Sequence, residues 1–97
     1  MSDPARPITV LYFAEAYTAT KLFSESIPIP EDQRAHGLLL SDLSRLLIAR
    51  HAASNLEDIL RTSMWSVNAE MVDDEDIDKT LLRGGEEVAV ICPVSGG

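Results

Sequence analysis

Apolar and polar positions alternate along this chain in two distinct periods, and the elements follow from them. Ile8-Thr9-Val10-Leu11-Tyr12-Phe13 predicts a strand, with Ile8, Val10 and Tyr12 on one face and Thr9, Leu11 and Phe13 on the other. Ala14 to Lys21 is polar and reads as a turn or short irregular loop. Leu22 to Ile29 predicts a second strand in a hairpin with the first, and Pro28 and Pro30, which have no N–H to donate, put it at a sheet edge. After the polar connection Glu31 to Gly37, Leu43, Leu46 and Leu47 repeat at helical spacing. With Ser41 as N-cap, Asp42 in the first turn, and Arg50 and His51 in the last, the expected main helix is Ser41 to Ala53.

Asn55 is placed to cap a short second helix carrying Leu56, Ile59 and Leu60. Met64 to Asn68 predicts a third strand with Trp65 and Val67 on one face, followed by a turn and short strand through Val72. Asp73 to Asp78 holds five carboxylates in six residues, which only a solvated segment tolerates. Leu81 to Gly85 reads as the end of a helical turn entering a tight turn, and Glu87 to Cys92 as the last strand. A main helix between an early hairpin and later strands predicts an α+β fold. The first and last strands, both apolar, would lie side by side at the centre of a mixed sheet of four to five strands over one main helix, the arrangement of a β-grasp. The expected division is a flexible N-terminus over 1–7, a folded unit over 8–92 and a flexible Gly-Gly tail over 93–97.

Composition narrows the function. Ninety-seven residues allow one domain, and 45% apolar and 25% charged residues are ordinary for a globular chain. Sixteen acidic against eight basic side chains give a net charge of −8, which argues against nucleic acid as a partner because phosphate binding needs Lys and Arg. No apolar run approaches the ~20 residues of a membrane span, and the first residues show no signal-peptide pattern, so the expectation is a cytoplasmic protein with no membrane partner. Cys92, His36 and His51 lack metal-ligand spacing. His36 and His51 read as surface residues, Trp65 as core and Cys92 as a packing residue.

Two features point beyond the fold. Leu11 and Phe13 lie opposite the helix-facing set of the first strand, as Ala89 and Ile91 lie opposite Val88 and Val90 in the last. One of those apolar faces has no helix to cover it, and an uncovered apolar patch marks a protein interface. The second feature is Pro93-Val94-Ser95-Gly96-Gly97 directly after the last strand. Five residues reach about 17 Å, and glycine makes the thread thin enough for a narrow enzyme pocket. An internal Leu82-Arg83-Gly84-Gly85 imitates a ubiquitin tail but reads as the turn entering the last strand.

Ile8 to Ala14, the Val67-Asn68 turn, Leu82 to Ala89 and the Pro93-Val94-Ser95-Gly96-Gly97 ending together resemble the MoaD family, over nearly all of Ile8 to Gly97. This family is the small, sulfur-carrying subunit of molybdopterin synthase, and the longer connection Pro28 to Leu40 suggests a eukaryotic-type member. The resemblance implies a ubiquitin-like β-grasp and no catalytic side chain. It implies that the carboxylate of Gly97 is adenylated by an activating enzyme of the ubiquitin-activating type, which consumes ATP, and is converted to a thiocarboxylate. The tail would then enter the active site of the large catalytic subunit, in a heterotetramer of two small and two large subunits. There it would give sulfur to cyclic pyranopterin monophosphate. No cofactor would be bound permanently and no metal held. Gly96 would keep the thread narrow, Pro93, Val94 and Ser95 would direct it, and Leu11, Phe13, Ala89 and Ile91 would dock on the large subunit. Competing readings are a sulfur carrier for thiamine or tRNA thiolation, a ubiquitin-like conjugating tag, and an adaptor with an inert tail. An independent enzyme has no Ser/His/Asp set, phosphate loop or carboxylate pair to support it.

Overall fold

The structure, a computed structural model, describes residues 6–92. Strand β1 (Ile8–Tyr12) is followed by helix α1 (Glu15–Thr20), strand β2 (Ser24–Ile27), the two-residue β3 (Leu38–Leu39) and helices α2 (Leu40–Arg50) and α3 (Leu56–Thr62). Strands β4 (Met64–Val67), β5 (Glu70–Val72), β6 (Leu81–Leu82) and β7 (Glu87–Ile91) complete the order. Five strands form one sheet, β2-β1-β7-β4-β5, while β3 and β6 pair separately. The first and last strands are adjacent and parallel, with Val10 opposite Val88 and Leu11 opposite Ala89, and the other neighbours run antiparallel. This is the mixed β-grasp sheet that the pattern predicts, and β2 lies at its edge, with Pro28 and Pro30 just beyond its last residue.

The helices cover one face. Ile8, Val10 and Tyr12 of β1, Val88 and Val90 of β7 and Trp65 of β4 are buried there against Leu40, Leu43 and Leu47 of α2 and Leu56, Ile59 and Leu60 of α3. The alternation of buried and half-buried residues in β1 is the period-2 signature of a sheet packed on one side. The described glycine-rich turn is tied to the beginning of the sheet, because Gly85 N–H donates to the Pro7 carbonyl at 3.2 Å.

Several expectations give way to tertiary structure. Ala14 to Lys21 is helical, not a loop: Ala14 and Lys21 take left-handed φ of 53° and 62° at its ends. Only Ala16 and Thr20 of α1 are buried, so it shows no apolar stripe, and packing against α3 rather than local preference holds it. The second strand is limited to Ser24–Ile27. The main helix starts one residue before Ser41 and ends at Arg50. Ser41 is not its cap: Leu40 and Ser41 donate their N–H groups to the carbonyls of Thr80 and Ile77, so a distant loop satisfies the free helix end. Leu81 and Leu82 are extended, in register with Leu39 and Leu38, because a two-residue non-local bridge leaves no local pattern to read.

Candidate functional site

Toward the Cys92 end, the sheet face away from the helices carries a group of apolar side chains that none of the described helices covers. Register builds it in rows: Ser24, Leu11, Ala89, Ser66 and Met71 succeed one another across all five strands, so their side chains share one face. One step along, Met64 sits opposite Ile91, and Phe13 follows β1 at the same end. Leu11 and Ile91 are half-buried. Phe13, Met64 and Met71 expose 49%, 45% and 55% of their surface. Ala89 is 9% exposed, a small residue screened by its neighbours in the row.

The structure thus brings Leu11, Phe13, Ala89 and Ile91 together on one face, as their parity predicts. It adds Met64 and Met71, whose signal was available: both lie on the parity opposite the core-facing Trp65 and Val72 of their strands. Methionine suits this position, being a flexible thioether that fits irregular partners. The face ends where the chain leaves the sheet. Cys92 donates its thiol to the Phe13 carbonyl at 3.5 Å and lies 3.7 Å from the Ser63 hydroxyl, so it packs at the sheet end beside Phe13. Pro93, Val94, Ser95, Gly96 and Gly97, singled out for the tail, lie outside the described residues.

A polar cluster sits on the other side, between β2 and the end of α2. Glu25 accepts hydrogen bonds from the Tyr12 hydroxyl at 2.7 Å and from Arg50 Nε at 2.8 Å, and its Oε1 lies 2.9 Å from His51 Nε2. Burial alone would raise the Glu25 pKa, but hydrogen bonds from His51, Tyr12 and Arg50 outweigh it and hold the carboxyl below its ordinary value. Burial, reinforced by the Glu25 carboxylate, pushes the Tyr12 phenol far above its ordinary pKa. His51 is therefore not a surface residue as expected: its side chain is 15% exposed, because the end of α2 turns it onto Glu25. His36 is exposed and Trp65 is buried, as expected. The cluster fastens the edge strand to the helix and offers no nucleophile or open acid–base pair.

Asp73, Asp74, Glu75, Asp76 and Asp78 are all exposed, the solvated acidic turn the sequence predicts. Among the described residues no group of three or more His, Cys, Asp or Glu side chains is placed to hold a metal ion, and no helix is long and apolar enough to cross a membrane. The turn at Gly84-Gly85 is folded, with φ of 122° and 85°, and the Glu86 carboxylate accepts the N–H groups of Arg83 and Gly84 at 2.7 Å each. It is a structural turn leading into β7, not a tail.

Residues 10–97 match the ThiS family. The chain is 36% identical over 97 residues, the whole of both chains, to the molybdopterin synthase sulfur carrier subunit of Mycosarcoma maydis. Its fold is similar to that of small archaeal modifier protein 1 from Methanosarcina acetivorans, with a TM-score of 0.70, 16% identity, and coverage of 98% of this chain and 100% of that one. It is also similar to a chain in the complex of subunits 1 and 2 of molybdopterin-converting factor from Helicobacter pylori, with a TM-score of 0.61, 20% identity, and coverage of 94% and 99%.

Proposed function

The chain belongs to the ThiS family, and on that footing we propose that it is the sulfur-carrier subunit of a molybdopterin synthase, acting in molybdenum cofactor biosynthesis. One observation carries the reading: the chain corresponds over its full length to a relative bearing that name. The uncovered apolar face supports it, since Leu11, Phe13, Ala89, Ile91, Met64 and Met71 form a docking surface adjoining the end of β7 at Ile91. The partner on that face is the large catalytic subunit, the counterpart of subunit 2 in the Helicobacter pylori complex.

The proposed chemistry belongs to the tail. A carboxylate is a poor electrophile, because its oxide leaving group is far too basic. An activating enzyme therefore joins the Gly97 carboxylate to the α-phosphate of ATP, releasing pyrophosphate. A persulfide on that enzyme system attacks the acyl carbon with its outer sulfur and AMP departs, leaving an acyl disulfide. A second thiol of the enzyme system then attacks the donor's sulfur, so that the S–S bond breaks, the C-terminal thiocarboxylate leaves and a disulfide stays on the donor. The thiocarboxylate is ionised at neutral pH and carries its charge on a soft sulfur, so it needs no helper base to act as nucleophile. Docking of the apolar face lets the narrow Gly96-Gly97 thread present this sulfur to the pterin precursor inside the large subunit. The chain supplies no side chain to the reaction. It supplies reach, a docking surface and the atom that carries the group.

Reconstitution tests this reading. With the large subunit, cyclic pyranopterin monophosphate, an activating enzyme, ATP and a sulfur donor, the intact chain should yield molybdopterin. The chain lacking Gly96 and Gly97 should yield none while melting at the same temperature. A conjugating tag would instead leave denaturation-resistant adducts on lysines of other proteins, and an inert tail would leave the truncated chain active.

A further inference from the structure

At the β2 edge of the sheet, backbone groups of the outermost strand face outward. In the antiparallel β1–β2 pair, Tyr12 N–H bonds to the Phe23 carbonyl. With Val10 opposite Glu25 and Ile8 opposite Ile27, alternation directs the backbone groups of Phe23, Glu25 and Ile27 inward to β1. The N–H and C=O of Ser24 and Ser26 point the other way. Since β2 ends the sheet order, no strand lies beyond them among the described residues, and both serines are exposed. An open row of such groups is a template for one more strand.

Beside this edge lies a groove of about 240 Å³ between β2 and α2, lined by Ile27, Pro28, Pro30, Leu46, Ala49 and Arg50. Five of the six are apolar, and the one charge is positive in a chain whose net charge is −8. Arg50 bonds Glu25 through Nε alone and is half-exposed, so its terminal amino groups remain to meet a second carboxylate. Glu25 itself would repel an incoming acidic strand, but Arg50 and His51 hold its two oxygens. Edge and groove make complementary demands. A strand added to β2 pairs its backbone with Ser24 and Ser26, and every second side chain then falls on the helix side, where the groove takes aliphatic groups and Arg50 takes an acid. We propose that the β2 edge and the groove against α2 bind an extended segment of a partner protein, aliphatic at alternate positions and bearing a carboxylate next to them. This site is independent of the sulfur-carrier reading and stands or falls apart from it.

The test uses the full-length, 15N-labelled protein and a blocked synthetic peptide, Gly-Val-Ile-Val-Ile-Asp-Glu-Gly. Binding should move the amide signals of Ser24, Ser26, Leu46, Ala49 and Arg50, and slow hydrogen exchange at Ser24 and Ser26. A peptide with proline at the two central positions cannot pair with the edge and should bind at least about tenfold more weakly. Ala49→Glu, at an exposed helix position, should weaken the acidic peptide by at least about tenfold while leaving the rest of the spectrum intact. An Asn-Gln version of the peptide should gain nothing from Arg50, so Arg50→Gln should weaken the acidic peptide and spare the neutral one. The proposal is overturned by three results: no binding, shifts centred on Leu11, Ala89 and Met64, or protection of Ser24 and Ser26 that grows with protein concentration in the absence of peptide. The last would mean that a second copy, and not a partner segment, pairs with this edge.

Discussion

Removing Glu25 tests the packing of the edge strand most sharply, because one carboxylate joins β1, β2 and α2. In Glu25→Ala the Tyr12 hydroxyl, on a residue 1% exposed, loses the acceptor 2.7 Å away, and a buried unsatisfied hydroxyl costs about 1–3 kcal/mol. The ion pair to half-exposed Arg50 and the contact with His51 add about 0.5–1 kcal/mol together once solvent screening is allowed for. The expected loss is about 3 kcal/mol, or a fall in melting temperature of about 10–20 °C for a chain of this size. Glu25→Gln keeps an acceptor for Tyr12 and Arg50 and should cost about 1 kcal/mol at neutral pH. Its pH dependence then isolates the charge. The Glu25 carboxyl is held below its ordinary value of 4.5, so its ionisation contributes stability above that value and loses it as pH falls through the lower, folded value. Urea unfolding at pH 7, 5, 4 and 3 should show the gap between wild type and Glu25→Gln closing at the acid end. A gap that stays constant with pH, or a Glu25→Ala protein within about 0.5 kcal/mol of wild type, refutes the cluster as a stabilising tie.

Phe13→Asp, at a position 49% exposed, should change stability by under about 1 kcal/mol yet weaken calorimetric binding to the large subunit by about a hundredfold; unchanged affinity would remove the uncovered face from the docking surface. Gly84→Ala places a Cβ 2.7 Å from the Arg6 carbonyl oxygen at φ 122° and should cost about 1–3 kcal/mol. Gly85→Ala meets only the Arg6 side chain, at 3.4 Å, and should cost less, so equal urea midpoints for the two variants would contradict the close approach. Leu47→Ala, fully buried under the sheet, should cost about 2–5 kcal/mol, read from the same unfolding curves.

Much of this architecture is legible in residue order because its strongest signals are local. Ile8 to Tyr12 and Val88 to Ile91 are mostly apolar on both parities, which places them at the sheet centre, and Pro28 and Pro30 follow directly on the edge strand β2. Leu43 and Leu47 mark the helix that covers them. That Leu11, Phe13, Ala89 and Ile91 share the sheet face away from the helices follows from parity alone, and Met64 and Met71 would have followed from the same alternation carried into β4 and β5. What stays hidden is what distant segments supply. Helix α1 exists because Ala16 and Thr20 meet core packing, not because its residues favour helix. The start of α2 is capped by the carbonyls of Ile77 and Thr80, so Ser41, the conspicuous local cap, has no such role. The β3–β6 bridge joins pairs of leucines more than forty positions apart, and the placing of His51 on Glu25 depends on a contact across 26 residues. None of these has a periodicity to betray it.

On the proposed reading the working atom of this protein is carried at Gly97, and other proteins act on it. Intact-mass spectrometry after incubation with an activating enzyme, ATP and a sulfur donor tests that claim directly. The expected mass change is that of one oxygen replaced by sulfur, localised by fragmentation to the last residue and absent when Gly97 is amidated. An unmodified C-terminus under conditions that convert an established sulfur carrier, or sulfur located at Cys92 instead, would contradict it.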